Sequence, residues 1–231
     1  NRSKKCLVLD LDNTLWGGVL GEEGRSHIKI GHTPEGKPFF EFQTHLLALF
    51  NRGVILAINS KNNRDEVLEV FRAHPDMVLR EKHFAAMQIN WNDKAANMRA
   101  IAKELNLGLD SFVFLDDDKT NREMIKSLLP DVSVIELPDD PADYVTTLQR
   151  VNDFNTLHLT DEDRERGALY AREREREALK QTTGTLEDFL KTLKIKVRIA
   201  DADQLTLPRI AQLTQKTNQF NVTTRRYAQE Q

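Results

Sequence analysis

Apolar positions along the first 150 residues follow two alternating patterns. Short continuous runs, Cys6–Leu9, Val54–Ile58, Ser111–Leu115 and Val132–Ile135, carry almost no polar interruption. Such a run predicts a strand buried on both faces, since a strand with one wet face alternates polar and apolar residues. Met77–Leu79 is a briefer strand candidate. Between the runs the spacing is helical. It predicts helices over Phe39–Asn51 with Gly53 as the stop, Arg64–His74 ending before Pro75, Asp93–Leu105 with Gly108 beyond, and Asn121–Leu129 halted by Pro130. Strands separated by helices predict an α/β fold, a three-layer sandwich on a mainly parallel sheet.

The later chain reads differently. A turn at Pro138–Pro141 and a helix over Ala142–Arg150 close the first domain. Asp161–Lys180 mixes acids and bases in near balance, which predicts a solvated helix laced with near-neighbour ion pairs. Then come a helix (Leu186–Leu193), a strand (Ile195–Ile199) and a helix (Thr206–Lys216), too few elements for a full sheet. The expected organisation is a domain over 1–152, a helical linker over 153–184 and a partial further region over 185–231.

Composition narrows the class. A chain of 231 residues with 39% apolar residues can bury one ordinary core and part of a second. With 36 acids against 33 bases and a net charge of -3, neither nucleic acid nor an anionic membrane is the expected partner. The single cysteine, Cys6, rules out an internal disulfide and suits a reduced, cytoplasmic setting. No apolar run approaches the ~18–20 residues of a membrane span, and the first residues lack a signal-peptide apolar region. The chain does not begin with Met, so the expectation is a piece of a longer protein.

Parallel sheets bind ligands outside the carboxyl ends of their strands. The residues just after the runs are Asp10, then Asn59 and Ser60, then Asp116 and Asp117. Val8–Leu15 reads as a strand followed by D-x-D-x-T. From a strand end, the Asp10 carboxylate can attack phosphorus in line and form an aspartyl-phosphate. Asp12 can protonate the leaving oxygen and later deprotonate the hydrolytic water. Thr14 can fix the turn. A lone D-x-D is commonly just a capped strand end, and Ser60 alone would be a helix cap. Lys94, opening a helix, would normally face solvent; beside two carboxylates it offsets their repulsion and neutralises a phosphoryl group. Asp116, Asp117 and Asp118 stand in a row, and adjacent acids repel unless a hard cation such as Mg2+ relieves them. The bland alternative is an acidic helix cap, which suits Asp118.

In this order and setting the four pieces resemble the haloacid dehalogenase (HAD) superfamily. The resemblance implies a HAD-like Rossmannoid fold, Asp10 as nucleophile, Asp12 as general acid/base, and Ser60 and Lys94 as phosphate-binding groups. It implies Mg2+ held by Asp10, the backbone carbonyl of Asp12 and Asp117, with Asp116 orienting Asp117. Thr14, Asn59, Lys61 and Asn62 are the expected substrate-binding residues. The glycine-rich stretch between Thr14 and Phe39 (Gly17, Gly18, Gly21, Gly24, Gly31, Gly36) fits a β-hairpin flap and no helical cap. An uncapped site stays open and can admit a group presented by a macromolecule.

The likeness extends to Asp10–Gly21 (DLDNTLWGGVLG), Phe42-Gln43, Ser60–Asn63, Asn90–Lys94 and Lys216–Asn221, which resemble the capless FkbH-like family. This implies loading of a glyceryl or related three-carbon unit from 1,3-bisphosphoglycerate onto the phosphopantetheine thiol of an acyl carrier protein, in polyketide-type biosynthesis. It also implies the start of an acyltransferase-like (GNAT-type) region near Ile195. One departure matters: many members carry Cys, a candidate thioester anchor, where this chain has Asn59. Two alternatives stay open, a simple capless phosphatase on a small or protein-borne phosphoester and a non-catalytic interaction domain.

Overall fold

The computed structural model describes residues 4–154 and 161–182 and, further on, 196, 199, 201, 203, 204 and 206–216. Five strands form one sheet: β1 (Cys6–Leu9), β2 (Ile55–Ser60), β3 (Phe84–Ile89), β4 (Phe112–Asp116) and β5 (Ser133–Glu136). Their spatial order is β3-β2-β1-β4-β5, and every pairing is parallel. The helices of this unit are α1 (Leu20–Glu23), α2 (Lys37–Asn51), α3 (Arg64–Ala73), α4 (Lys94–Glu104), α5 (Lys119–Leu128), α6 (Tyr144–Gln149) and α7 (Asp161–Thr182). Among the described residues no helix is long and apolar enough to cross a membrane.

The continuous runs have a simple cause. β1 is the central strand, and all four of its side chains are fully buried. Leu7 and Leu9 join a core with Leu56, Phe42, Leu46 and Val70. Cys6 and Val8, on the opposite face, join Ala57, Phe114, Met98 and Ile125. Successive side chains point to opposite faces, so a strand covered on both sides must be apolar throughout. Each such side chain contributes about 1.5–3 kcal/mol by leaving water.

Helix limits follow local chemistry. Pro38 occupies the first turn of α2, and Gly53 follows its end at φ +90°, a conformation glycine takes without a Cβ clash. Asp93 caps α4 by accepting from Ala96 N at 2.7 Å, and Asp118 caps α5 by accepting from Thr120 N at 2.6 Å.

Several expectations change. Residues 77–79 form no strand. The side-chain oxygen of buried Gln43 accepts from Val78 N (3.1 Å) and Leu79 N (3.0 Å), while its Nε2 donates to the Leu15 carbonyl (2.8 Å). One amide thus supplies the hydrogen bonds a neighbouring strand would give. The third strand is instead β3, whose alanines make a weak apolar signal. The glycine-rich stretch holds no hairpin ladder; a single antiparallel bridge, Gly17–Lys29, closes around the one-turn α1.

The boundary at 152 and the linker over 153–184 also give way, because the first compact unit runs to Thr182. α7 packs against β2, β3 and α2. Ala171 is buried, and a Cβ on Gly167 would lie 2.9 Å from the Val54 carbonyl oxygen. Small residues on one face let a highly charged helix approach the core closely. The second unit, 183–231, contains α8 (Leu207–Lys216), preceded by an Asp203 carboxylate that accepts from Thr206 N at 2.8 Å. The helix expected over 186–193 and, apart from isolated positions, the strand over 195–199 lie outside the described residues, as does most of the GNAT-type region.

The seating of α7 makes a sign-specific prediction. In a solvated helix Gly167→Ala would stabilise by about 1 kcal/mol. Against Val54 it is expected to destabilise by about 1–3 kcal/mol through overpacking. Urea unfolding distinguishes the two; a gain in stability would return α7 to solvent.

Candidate active site

The chain leaves β1 for β2 on one side and, later, returns through β4 on the other. That reversal of direction is where open α/β sheets bind ligands. Leu9 aligns with Ile58 and with Leu115, so the polar residues that follow emerge level with one another. Asp10 continues the ladder, its N–H donating to the Leu115 carbonyl at 3.0 Å. Carboxylate oxygens of Asp10, Asp116 and Asp117 all lie within 4.8 Å of one another. The three chain segments therefore converge as the motif order requires.

Lys94 reaches into this cluster and is almost wholly buried. Its Nζ lies 2.7 Å from Asp10 Oδ1 and 2.9 Å from Asp116 Oδ2, and it donates to the Asn59 carbonyl at 2.8 Å. Burial alone would pull its pKa down, but the charges of Asp10 and Asp116 outweigh burial and hold the ammonium above its ordinary value. The acids feel the opposite pressure. Burial and the charge of Asp10 raise Asp116, with Lys94 pulling partly back. Burial, then Asp10 and Asp116, push Asp117 up to about 6.

One ammonium faces three carboxylates, so the cluster keeps an excess of negative charge. Asp10 Oδ1 is buried and accepts no hydrogen bond of good geometry, although Lys94 stands beside it. Hard oxygen donors and uncompensated negative charge fit a divalent cation with oxygen preference. The Asp12 carboxylate is not part of the cluster. Its Oδ1 accepts from Trp16 Nε1 (2.9 Å) and Leu20 N (3.1 Å), and its Oδ2 from Asn62 Nδ2 (2.8 Å). The ligand that the resemblance implies at this residue is its backbone carbonyl, not its carboxylate.

Three expected substrate-binding residues have other duties. Thr14 is fully buried; its Oγ1 accepts from Asp117 N (3.2 Å) and donates to Asp117 Oδ1 (3.4 Å). Asn59 is also fully buried; its Nδ2 donates to the Lys94 carbonyl (2.8 Å) and its Oδ1 accepts from Asn97 Nδ2 (3.1 Å). Asn62 is buried and serves Asp12. Strand alternation explains Asn59: neighbouring side chains on β2 face opposite ways, and this one faces α4. Ser60 ends β2, with its carbonyl accepting from Asn90 N at 3.1 Å, and Lys61 is exposed just beyond.

Four supporting residues were not singled out from the sequence. Trp16 holds Asp12. Asn121 Nδ2 donates to both oxygens of Asp116 at 3.3 Å. Arg122 Nη1 donates to the carbonyls of Asp116 (2.7 Å) and Asp117 (2.5 Å). The Tyr144 hydroxyl donates to the Asn13 carbonyl at 3.0 Å, and Asn13 itself takes a left-handed turn at φ +52°. Asn121 and Arg122 carry a legible signal, polar side chains in the first turn after a strand-end acid pair. Tyr144 carries none, since only the fold brings it near.

No family model matches the chain, and no curated protein matches it. Among solved structures it is similar to the N-terminal part of a Bacteroides fragilis protein, a piece containing a phosphatase domain and complexed with Mg. The two are 48% identical with a TM-score of 0.65, over 67% of this chain and 41% of that one. The chain thus spans less than half the length of the solved chain it matches. An uncharacterized protein from Corynebacterium glutamicum aligns at 15% identity and a TM-score of 0.42, over 65% of this chain and 94% of that one. The latter likeness is too remote to bear on function. With its all-parallel five-stranded sheet, the domain has a HAD-like Rossmannoid fold.

Two outcomes follow from the electrostatics. Lys94→Met strips Asp10 and Asp116 of their counter-charge and is expected to cost about 3–5 kcal/mol in urea unfolding without added metal; an unchanged midpoint would show that the ammonium is not their partner. Asp117→Asn tests the raised carboxyl. Its folded pKa of about 6 exceeds the ordinary 3.8, so the acid favours folding at low pH and that benefit is lost as pH rises to about 6. The variant's stability relative to the parent is expected to rise across that window and level off above it. A flat difference measured by unfolding at several pH values would contradict this.

Proposed function

We propose that this domain transfers phosphoryl groups with Mg2+ as cofactor, with Asp10 as nucleophile and Asp12 as general acid/base. The observation that carries the reading is the meeting of Asp10, Asp116 and Asp117 around one buried lysine at the carboxyl edge of the sheet. The Mg-complexed phosphatase domain in the similar Bacteroides fragilis structure supports it. Asp10, Asp117 and the Asp12 carbonyl would hold the ion, with Asp116 fixed between Lys94 and Asn121. When bound, the metal neutralises charge on the phosphoryl group.

The chain's own residues supply the rest. An Asp10 oxygen attacks phosphorus, and Asp12 gives its proton to the departing oxygen. Water then attacks the aspartyl-phosphate, and Asp12 takes the proton back. Lys94 balances charge on the phosphoryl oxygens, and Ser60 offers a hydroxyl at the end of β2.

The resemblance to the FkbH-like family supports a finer version. In it the substrate is 1,3-bisphosphoglycerate, and a glyceryl unit passes to the phosphopantetheine thiol of an acyl carrier protein. The open rim favours a carrier-borne acceptor: between β1 and α2 the described elements are the one-turn α1 and two isolated bridges, Asp12–Trp16 and Gly17–Lys29. A second reading, a plain phosphatase, is favoured by the thiol inventory. Asn59 is committed to α4. Cys6, the sole cysteine, is fully buried in β1, and burial pushes its thiol well up. Transfer would therefore go directly to the carrier, or stop at phosphate release.

The deciding experiment incubates the protein with Mg2+, 1,3-bisphosphoglycerate and a phosphopantetheinylated carrier, then weighs the carrier by intact mass. A glyceryl adduct supports loading; phosphate release without an adduct leaves the plain phosphatase. Asp10→Asn is expected to abolish both, and full activity in that variant would remove Asp10 from the chemistry.

A further inference from the structure

Asp12 is gripped by N–H groups from three parts of the chain. They are the indole of Trp16, the backbone of Leu20 at the start of α1, and the amide of Asn62 just after β2. A carboxylate offers about four lone-pair positions, two on each oxygen. Oδ1 has both of its positions filled, by Trp16 at 2.9 Å and Leu20 at 3.1 Å. Oδ2 has one filled, by Asn62 at 2.8 Å, and one left. We propose that Trp16 and Asn62 are positioning residues that make Oδ2 the proton-handling atom of Asp12; the inference rests on the phosphotransfer reading above.

The clamp is rigid for reasons visible in the packing. Trp16 is fully buried and meets the Phe71 ring edge-on, with centroids 6.0 Å apart. The turn that brings it back over Asp12 is closed by Gly18 N donating to Asn13 Oδ1 at 2.8 Å. Asn62 is buried as well. Neither side chain has free room to rotate, so the carboxylate plane is held from both of its oxygens.

The proton balance is then definite. In the first half-reaction the Asp10–phosphorus bond forms and the bond from phosphorus to the leaving oxygen breaks. The proton on Oδ2 passes to that oxygen. In the second, a water oxygen bonds to phosphorus, its proton moves to Oδ2, and the bond to Asp10 breaks. A side chain that only holds the fold would affect all substrates alike. A side chain that aims a general acid matters most where the leaving group needs the proton. An alkoxide does; a nitrophenolate does not.

The test compares glycerol phosphate with p-nitrophenyl phosphate in Trp16→Phe, which keeps an aromatic ring and loses the indole N–H, and in Asn62→Leu, which keeps the branched shape and loses the amide. Phosphate release is measured at saturating Mg2+. The expected result is a fall in kcat/KM on the order of 10–100-fold with glycerol phosphate, a part of what general-acid catalysis supplies. With p-nitrophenyl phosphate the fall in kcat/KM is expected to stay within about threefold, because this ratio reports only the steps up to departure of the leaving group, and nitrophenolate leaves without a proton. Equal losses on both substrates in both variants would reduce the clamp to a structural role, and unchanged rates on both would remove it from the mechanism. Failure of the underlying reading looks different: the parent protein releases no phosphate from either substrate, or Asp10→Asn releases it normally, and the inference falls with it.

Discussion

One buried ammonium is the constraint on which the rest depends. Lys94 touches an acid just beyond β1, an acid from β4 and a carbonyl from β2. Three neighbouring strands are therefore joined at their ends by a single side chain. A charge placed in such a setting costs several kcal/mol unless its partners are already in position. The partners are in position because the strands are apolar on both faces and can lie only in the middle of the sandwich. The hydrophobic pattern thus sets the strand ends, and the strand ends set the charges. Asn59 completes the arrangement by holding the backbone of Lys94 while its own carbonyl takes the ammonium.

Keeping like charges together needs fastening beyond the charges themselves. Arg122 binds two successive carbonyls at the end of β4, and Asn121 binds both oxygens of Asp116. Thr14 ties the loop after β1 to Asp117, and Tyr144 ties the same loop to the start of α6. These groups act on backbone and orientation, so the acids cannot relax apart when unscreened.

Much of this was legible in the sequence, for identifiable reasons. β1, β2 and β4 appeared because aliphatic and aromatic residues dominate them, and β5 because Val132, Val134 and Ile135 mark its run. β3 did not, because its run contains two alanines and a glutamine, whereas Met77–Leu79 looked better and is not a strand. The difference lies in Gln43, a residue more than thirty positions away whose amide takes the place of a strand partner. The acids and Lys94 were legible because strand ends and motif order locate them. The duties of Thr14, Asn59 and Asn62 were not, because proximity to the site says nothing about which way a side chain faces. α7 was misjudged for a related reason: its charges obscured the small residues, Gly167 and Ala171, that seat it.

The rim strand carries a quieter lesson. β3 ends the sheet on one side, so one row of its backbone groups has no strand to pair with. Arg64 Nη1 binds the Met87 carbonyl there, and Arg174 from α7 reaches the Glu81 carbonyl just ahead of the strand. Charged side chains along an edge strand are one way proteins make it a poor template for pairing with another sheet. One of the charges that disguised α7 as a solvated connector, Arg174, thus occupies a carbonyl beside the border that an incoming strand would otherwise have to satisfy.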